Sequence, residues 1–248
     1  MIIQVIGLPG SGKTTLTKCL ADRINATILN ADEVRADLNR DLGFTSEDRA
    51  EQARRMGALS RLLSNQGHTV IADFVCPTEE TRAAFGHSDI TIWMDTIQQS
   101  RFEDTNNLWE TPTKFDYRFT SYDSEGQTNL IIAHSNLHDW KAPTTLLLGR
   151  YQPWHEGHQA LMEKAHEKTD QVLIAVRHTQ GTSEKDPFTY GQVADQIVSR
   201  VTRPFLMKVP NITNIVYGRD VGYKIEQVDL GATTHAISAT QKRKEMGL

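Results

Sequence analysis

Near the start of the chain, Gly7-Leu-Pro-Gly10-Ser11-Gly12-Lys13-Thr14 satisfies the spacing G-x-x-x-x-G-K-[ST]. Glycines at these positions let successive backbone N–H groups curl around a phosphate, and the N-terminus of a following helix adds a favourable dipole. In this pattern Lys13 reaches the β- and γ-phosphates of ATP, and the Thr14 hydroxyl ligates Mg²⁺. Gly7, Gly10, Ser11, Gly12 and Thr15 complete the expected phosphate-binding set. A second cluster lies far downstream, where Arg150-Tyr-Gln-Pro-Trp-His155-Glu-Gly157-His158 places two histidines around a glycine. No nearby cysteine or third histidine would complete a zinc shell around them.

The flanking sequence supplies elements able to hold both clusters. Ile2 to Ile6 reads as a buried strand, and Thr14–Ile24 has helical apolar spacing at Leu16, Leu20 and Ile24. Further strands are expected at Thr27–Leu29, Thr69–Ala72 and Ile90–Met94, with a charged amphipathic helix over Glu47–Asn65. Asp32 follows the second of these strands, at the carboxyl end where open α/β sheets bind ligands. The later half repeats the alternation. Strands are expected at Thr145–Leu148, Val172–Val176, Phe205–Val209 and Ile215–Tyr217, with helices from about His158 to Lys168 and over Tyr190–Val201. Strands alternating with helices imply βαβ units and parallel sheets. The expected fold class is therefore α/β, two tandem three-layer parallel-sheet domains at 1–140 and 144–248. The seam falls in the polar stretch His134-Ser-Asn-Leu-His-Asp-Trp-Lys-Ala-Pro143.

Composition narrows the class. Of 248 residues, 38% are hydrophobic and 23% charged, a balance that fits a globular chain rather than a disordered one. The net charge of −4 divides into −6 over residues 1–142 and +2 over 143–248, so neither part has the clustered positive surface of a nucleic-acid binder. No apolar run approaches the roughly 20 residues of a membrane span. The start lacks the basic segment of a secretory signal, and Cys19 and Cys76 alone build neither a disulfide framework nor a zinc site. The expectation is a cytoplasmic protein whose partners are small-molecule nucleotides, with no nucleic acid and no membrane; a homo-oligomer is compatible with it.

After the glycine-rich loop comes Leu29-Asn-Ala-Asp32-Glu-Val-Arg35, then Leu38-Asn-Arg-Asp-Leu-Gly-Phe44, Asp48-Arg49, Glu51 and Arg54-Arg55. Over most of residues 1–95 this resembles the adenylylsulfate (APS) kinases, which are P-loop kinases. The resemblance implies that Asp32 is the metal-organising and base carboxylate, with Mg²⁺ shared between Thr14 and Asp32. It also implies that Arg35, Phe44 and Arg49 hold a nucleotide-like acceptor. Arginines suit that task, because their planar forks grip phosphate or sulfate. Arg54 and Arg55 read more simply as a solvated helix face. Asn30 stands where the family usually has Asp, and Gln52 where it has Asn. Phe74-Val-Cys-Pro77 with Arg82 matches a family segment loosely. The family's lysine-rich lid is replaced by an acidic and aromatic stretch, Arg101 to Arg118.

The Gly149-Arg150-Tyr-Gln-Pro-Trp-His155-Glu-Gly157-His158 segment resembles the Rossmann-like HxGH nucleotidyltransferases, in particular their NMN-adenylyltransferase-type members. Pro187-Phe-Thr189 resembles a further segment of that superfamily, and Ile237-Ser238-Ala-Thr240-Gln-Lys-Arg243 its partner motif ISxTxxR. The resemblance, over about residues 144–245, implies nucleotidyl transfer with release of pyrophosphate. His155 and His158 would then donate hydrogen bonds to charge building on the α-phosphate and the leaving group. Gly157 would allow close backbone approach, Ser238 and Thr240 would offer hydroxyls, and Arg243 and Arg150 would act as cationic clamps. Asp220 reads as a turn carboxylate. Three functions follow as alternatives: an APS-directed kinase with an adenylyltransferase, a cofactor-salvage pair acting on a nucleoside such as nicotinamide riboside and its phosphate, or a nucleotide-binding regulator without turnover. ATP or CTP could serve the second site.

Overall fold

A computed structural model describes residues 1–179, 181–216, 218, 222, 224–231, 237 and 239–247. The chain divides into two compact units, Met1–Lys141 and Ala142–Leu248. In the first, the elements run β1 (Ile2–Ile6), α1 (Lys13–Ile24), β2 (Thr27–Asn30), α2 (Ala31–Asp37), α3 (Ser46–Asn65), β3 (Val70–Asp73), α4 (Glu79–Phe85), β4 (Ile90–Met94), α5 (Glu103–Leu108), β5 (Tyr117–Phe119) and α6 (Ser124–His134). The strands form one parallel sheet in the order β2-β3-β1-β4-β5. A parallel sheet requires crossovers, and their helices cover both faces. Ile3, Val5 and Ile92 pack under Leu16, Leu20 and Ile131 on one face. Ile2, Ile6 and Val70 pack under Met56 and Phe85 on the other. This two-sided burial explains why β1 reads as a nearly continuous apolar run, with Gln4 its one polar residue, rather than an alternation.

The second unit contains β6 (Thr144–Gly149), α7 (Glu156–His166), β7 (Gln171–Arg177), α8 (Tyr190–Val198), β8 (Phe205–Val209) and α9 (Ala239–Glu245). Its three strands are parallel in the order β6-β7-β8. One cluster unites Leu147, Ile174 and Val176 of the sheet with Met162 of α7 and Val193 and Ile197 of α8. The strand expected at Ile215–Tyr217 does not form over its described part: Ile215 and Val216 are irregular and exposed. Both follow the mainly polar run Asn211-Ile212-Thr213-Asn214, and together they offer no regular alternating apolar face to a sheet. Tyr217 lies outside the described residues. Among the described residues no helix is long and apolar enough to cross a membrane.

Candidate functional site

The glycine-rich loop leaves the carboxyl end of β1, the central strand, and feeds α1. Gly7 is forced by close approach, since a Cβ there would lie 2.5 Å from the Met94 carbonyl oxygen. Gly12 adopts φ +86°, the left-handed region that glycine enters without strain, and serves as the N-cap of α1. Lys13 is buried, its Nζ donating to the Leu8 carbonyl at 3.0 Å. Burial pulls its ammonium below the usual lysine range, against the opposing pull of Asp73 and Asp32. Thr14 Oγ1 donates to Asp73 Oδ2 at 2.7 Å.

A cleft of about 560 Å³ opens over this loop. Gly10, Lys13, Thr14, Asp32, Arg35, Phe44 and Arg49 all line it. Gly7, Ser11, Gly12 and Thr15 do not; Ser11 is buried with its hydroxyl unpartnered, and Thr15 is exposed. The Arg35 guanidinium stands 4.8 Å from the centre of the Phe44 ring and that of Arg49 5.7 Å from it. Arg35 also donates to the Gly43 carbonyl, and burial together with Arg49 lowers its pKa. Arg49 is tethered to the Phe44 carbonyl at 3.0 Å and to Asp104 of α5 at 2.7 Å. Arg54 and Arg55 are engaged on the surface with Glu51, and Arg55 also with Asp41, as expected of a solvated face. Arg82 is likewise structural, donating to the Cys76 and Glu110 carbonyls.

Among the cleft residues to which the sequence reading gave no site role are Asp73, Arg101 and Phe102. Asp73 ends β3, one residue beyond the strand expected at Thr69–Ala72. Arg101 and Phe102 belong to the acidic and aromatic stretch that replaces a basic lid, and the guanidinium of one lies 4.8 Å from the ring centre of the other. The Thr14 hydroxyl with the carboxylates of Asp32 and Asp73 gives the cleft hard oxygen donors beside a phosphate cradle, which fits Mg²⁺. Among the described residues no three His, Cys, Asp or Glu side chains are placed to hold a metal by themselves. Substrate phosphates would complete such a magnesium shell.

In the second unit His155 is the N-cap of α7. Its Nδ1 accepts from Gly157 N at 3.2 Å, and His158 Nδ1 accepts from His155 N at 3.3 Å. With both Nδ1 atoms accepting, each neutral ring carries its proton on Nε2. The rings stack at 3.8 Å, and His158 also lies edge-on to Tyr151. Burial, and then His155, push the His158 pKa down to about 3. Burial also lowers that of His155. Arg243 of α9 donates to the Gln152 carbonyl at 2.7 Å and to Thr240 Oγ1 at 3.1 Å, tying the C-terminal motif to the histidine loop. Arg150 is instead paired with Asp186 at 3.1 Å. His155 lines a cleft of about 430 Å³ with Lys242, a residue the sequence reading left without a role; His158 does not line it. Ser238 and Asp220 lie outside the described residues.

Residues 1–110 match the family model of adenylylsulphate kinase, and residues 146–198 the cytidylyltransferase-like one. Adenylyl-sulfate kinases of Bacillus licheniformis and Myxococcus xanthus are each 44% identical over 86 residues, covering 33% of this chain and 44% and 46% of theirs. A bifunctional enzyme, NodQ, of Rhizobium sp. (strain N33) is 43% identical over 81 residues, 31% of this chain and 12% of its own. The chain thus spans less than half the length of these curated relatives. A solved APS kinase of Mycobacterium tuberculosis, in complex with AMPPNP and APS, overlays 54% of this chain and 96% of its own at 24% identity and a TM-score of 0.49. Taken together, the two family matches make residues 1–110 similar to the adenylylsulphate kinases and residues 146–198 similar to the cytidylyltransferase-like proteins.

Proposed function

We propose that the first unit is an ATP-dependent kinase for a small, anionic, nucleotide-like acceptor, adenylylsulfate in first place. The second is a nucleotidyltransferase, adenylyl transfer in first place, that releases pyrophosphate. The two activities belong to residues 1–140 and 144–248 and act on soluble nucleotides in the cytoplasm. One observation carries the kinase reading: Lys13 and Thr14 share a single cleft with Asp32, Arg35, Phe44 and Arg49.

Phosphoryl transfer depends mainly on positioning and electrostatics. The loop N–H groups and Lys13 hold the β- and γ-phosphates of ATP. Arg35 and Arg49 grip the anionic end of the acceptor, and the exposed face of Phe44 offers its base a stacking surface. Asp32 takes the proton of the acceptor hydroxyl as its oxygen bonds to the γ-phosphorus; the bond to the β-phosphate oxygen breaks and ADP leaves. Thr14 and a cleft carboxylate would hold Mg²⁺, which would supply neutralisation of the phosphate charge.

In the second unit an acceptor oxyanion attacks the α-phosphorus of the nucleotide and pyrophosphate departs, so no enzyme nucleophile is needed. The Nε2–H groups of His155 and His158 donate to the developing charge, with Gly157, Thr240 and Arg243 around the phosphates; the C-terminal motif assigns Ser238 the role of a further hydroxyl donor. Their fixed tautomers support this reading, because each ring is a donor without having to be protonated.

The test is adenylylsulfate-dependent ADP release from Mg-ATP by the full chain. The expected result is turnover that requires adenylylsulfate and disappears in Lys13→Ala. ADP release that ignores adenylylsulfate but responds to a nucleoside would overturn the acceptor assignment and favour cofactor salvage.

A further inference from the structure

Asn30 and Asp73 end β2 and β3 as direct register partners across the ladder. The Asn30 amide serves both sides. Its Nδ2 donates to Asp73 Oδ2 at 3.0 Å, while its Oδ1 accepts from the backbone N–H of Asp32 and Glu33 and so caps α2. The same Asp73 oxygen accepts from Thr14 Oγ1 at 2.7 Å. Asp73 is only 2% exposed, and Thr14 of the phosphate cradle and Asn30 at the end of β2 fix its orientation. Asp32 differs: it is exposed on the first turn of α2, at the side of the cleft that Arg35 shares.

We infer that Asp73, rather than Asp32, is the carboxylate that organises the metal with Thr14, and that positions 30 and 73 are interchangeable carriers of that charge. Asp32 is thereby left for the acceptor's proton. The inference rests on the kinase reading above. Its physical core is the register. Carboxylates at both positions would set two like charges side by side at the end of the ladder, one of them buried, each disfavouring ionisation of the other. An amide beside a carboxylate gives one hydrogen-bonded pair with a single charge. The departure to Asn at position 30 is then the complement of Asp73 rather than the loss of a ligand.

The experiment titrates Mn²⁺ into the full chain with ADP present and follows bound Mn²⁺ by electron paramagnetic resonance. Metal-free ADP binding by calorimetry and thermal melts run in parallel. Asp73→Asn should weaken Mn²⁺ binding about 10–100-fold, the range for groups that orient a metal site, while metal-free ADP binds within about twofold of wild type. Asn30→Asp combined with Asp73→Asn should restore most of the Mn²⁺ affinity, whereas Asp32→Asn should keep it and lose turnover. Wild-type Mn²⁺ affinity in Asp73→Asn, or the loss appearing in Asp32→Asn instead, overturns the inference. Should Asp73→Asn fail to fold, the double variant decides: folded with affinity supports exchange, folded without it refutes exchange. A wild-type chain that binds Mn²⁺ with ADP but does not phosphorylate adenylylsulfate removes that acceptor and leaves the metal assignment standing.

Discussion

His155 and His158 show how backbone hydrogen bonds assign a proton. Both Nδ1 atoms are spent on the first turn of α7, so the Nε2–H groups are the donors. The pairing also has a pH signature. His158 has a folded value of about 3 against an ordinary 6.5. Below about pH 6.5 the unfolded chain takes up a proton that the folded unit refuses, so stability falls as pH drops towards 3, by up to about 1.4 kcal/mol per unit. Thermal melts from about pH 7 to pH 4 should show a falling melting temperature, and His158→Asn should make the fall shallower; equal slopes would refute the assignment. In the other unit, the Phe44 ring flanked by Arg35 and Arg49 makes a different prediction. Phe44→Ala should raise the acceptor KM about tenfold, in line with 1–3 kcal/mol per stacked base, and leave the KM for ATP unchanged. Steady-state kinetics with each substrate varied separately would check it. Phe44 is legible in sequence because it closes a contiguous run. Asp73 is not, because its partners Asn30 and Thr14 are 43 and 59 residues away and only strand pairing brings them together.

Elements with strong periodicity follow the sequence closely. β1, the loop and α1 form where an apolar run, three glycines and a Leu16–Leu20–Ile24 stripe require them. β5 and α6 could not be read the same way. β5 has three residues, and α6 buries Gln127 and Thr128 alongside Ile131 and Ile132, so its inner face does not look apolar. Tertiary packing decides such segments. The crossing of α3 and α4 is another case, since nothing local marks Gly57 as special. A Cβ at Gly57 would lie 2.0 Å from the Phe85 carbonyl oxygen, which also accepts from Arg61 at 2.9 Å. Gly57→Ala must therefore push α4 away from α3 despite the better helix propensity of alanine. We expect a loss of about 1–3 kcal/mol, the usual cost of overpacking, read as a lower denaturant midpoint at unchanged slope. An unchanged or higher midpoint would show that this crossing yields easily.

For the whole chain, the separation into Met1–Lys141 and Ala142–Leu248 bears on how the two proposed activities would combine. The described kinase-side residues, Lys13, Asp32, Arg35, Phe44 and Arg49, all belong to the first unit; His155, His158, Thr240 and Arg243 all belong to the second. Substitutions at sites that share no partners act independently. Lys13→Ala should therefore cut ADP release by about a hundredfold or more, since it removes the cation from the transferring phosphates, while pyrophosphate release stays within about twofold. His155→Asn should do the reverse: asparagine keeps the N-cap of α7 but loses the Nε2 donor. The two products can be followed in one reaction, with ADP and pyrophosphate measured by separate coupled assays. A Lys13→Ala chain that loses both products would mean that the second reaction consumes what the first makes, so that the kinase step comes first. A His155→Asn chain that stops releasing ADP until adenylylsulfate is added would order them the other way. Full independence in both variants would leave two catalysts joined by one polypeptide.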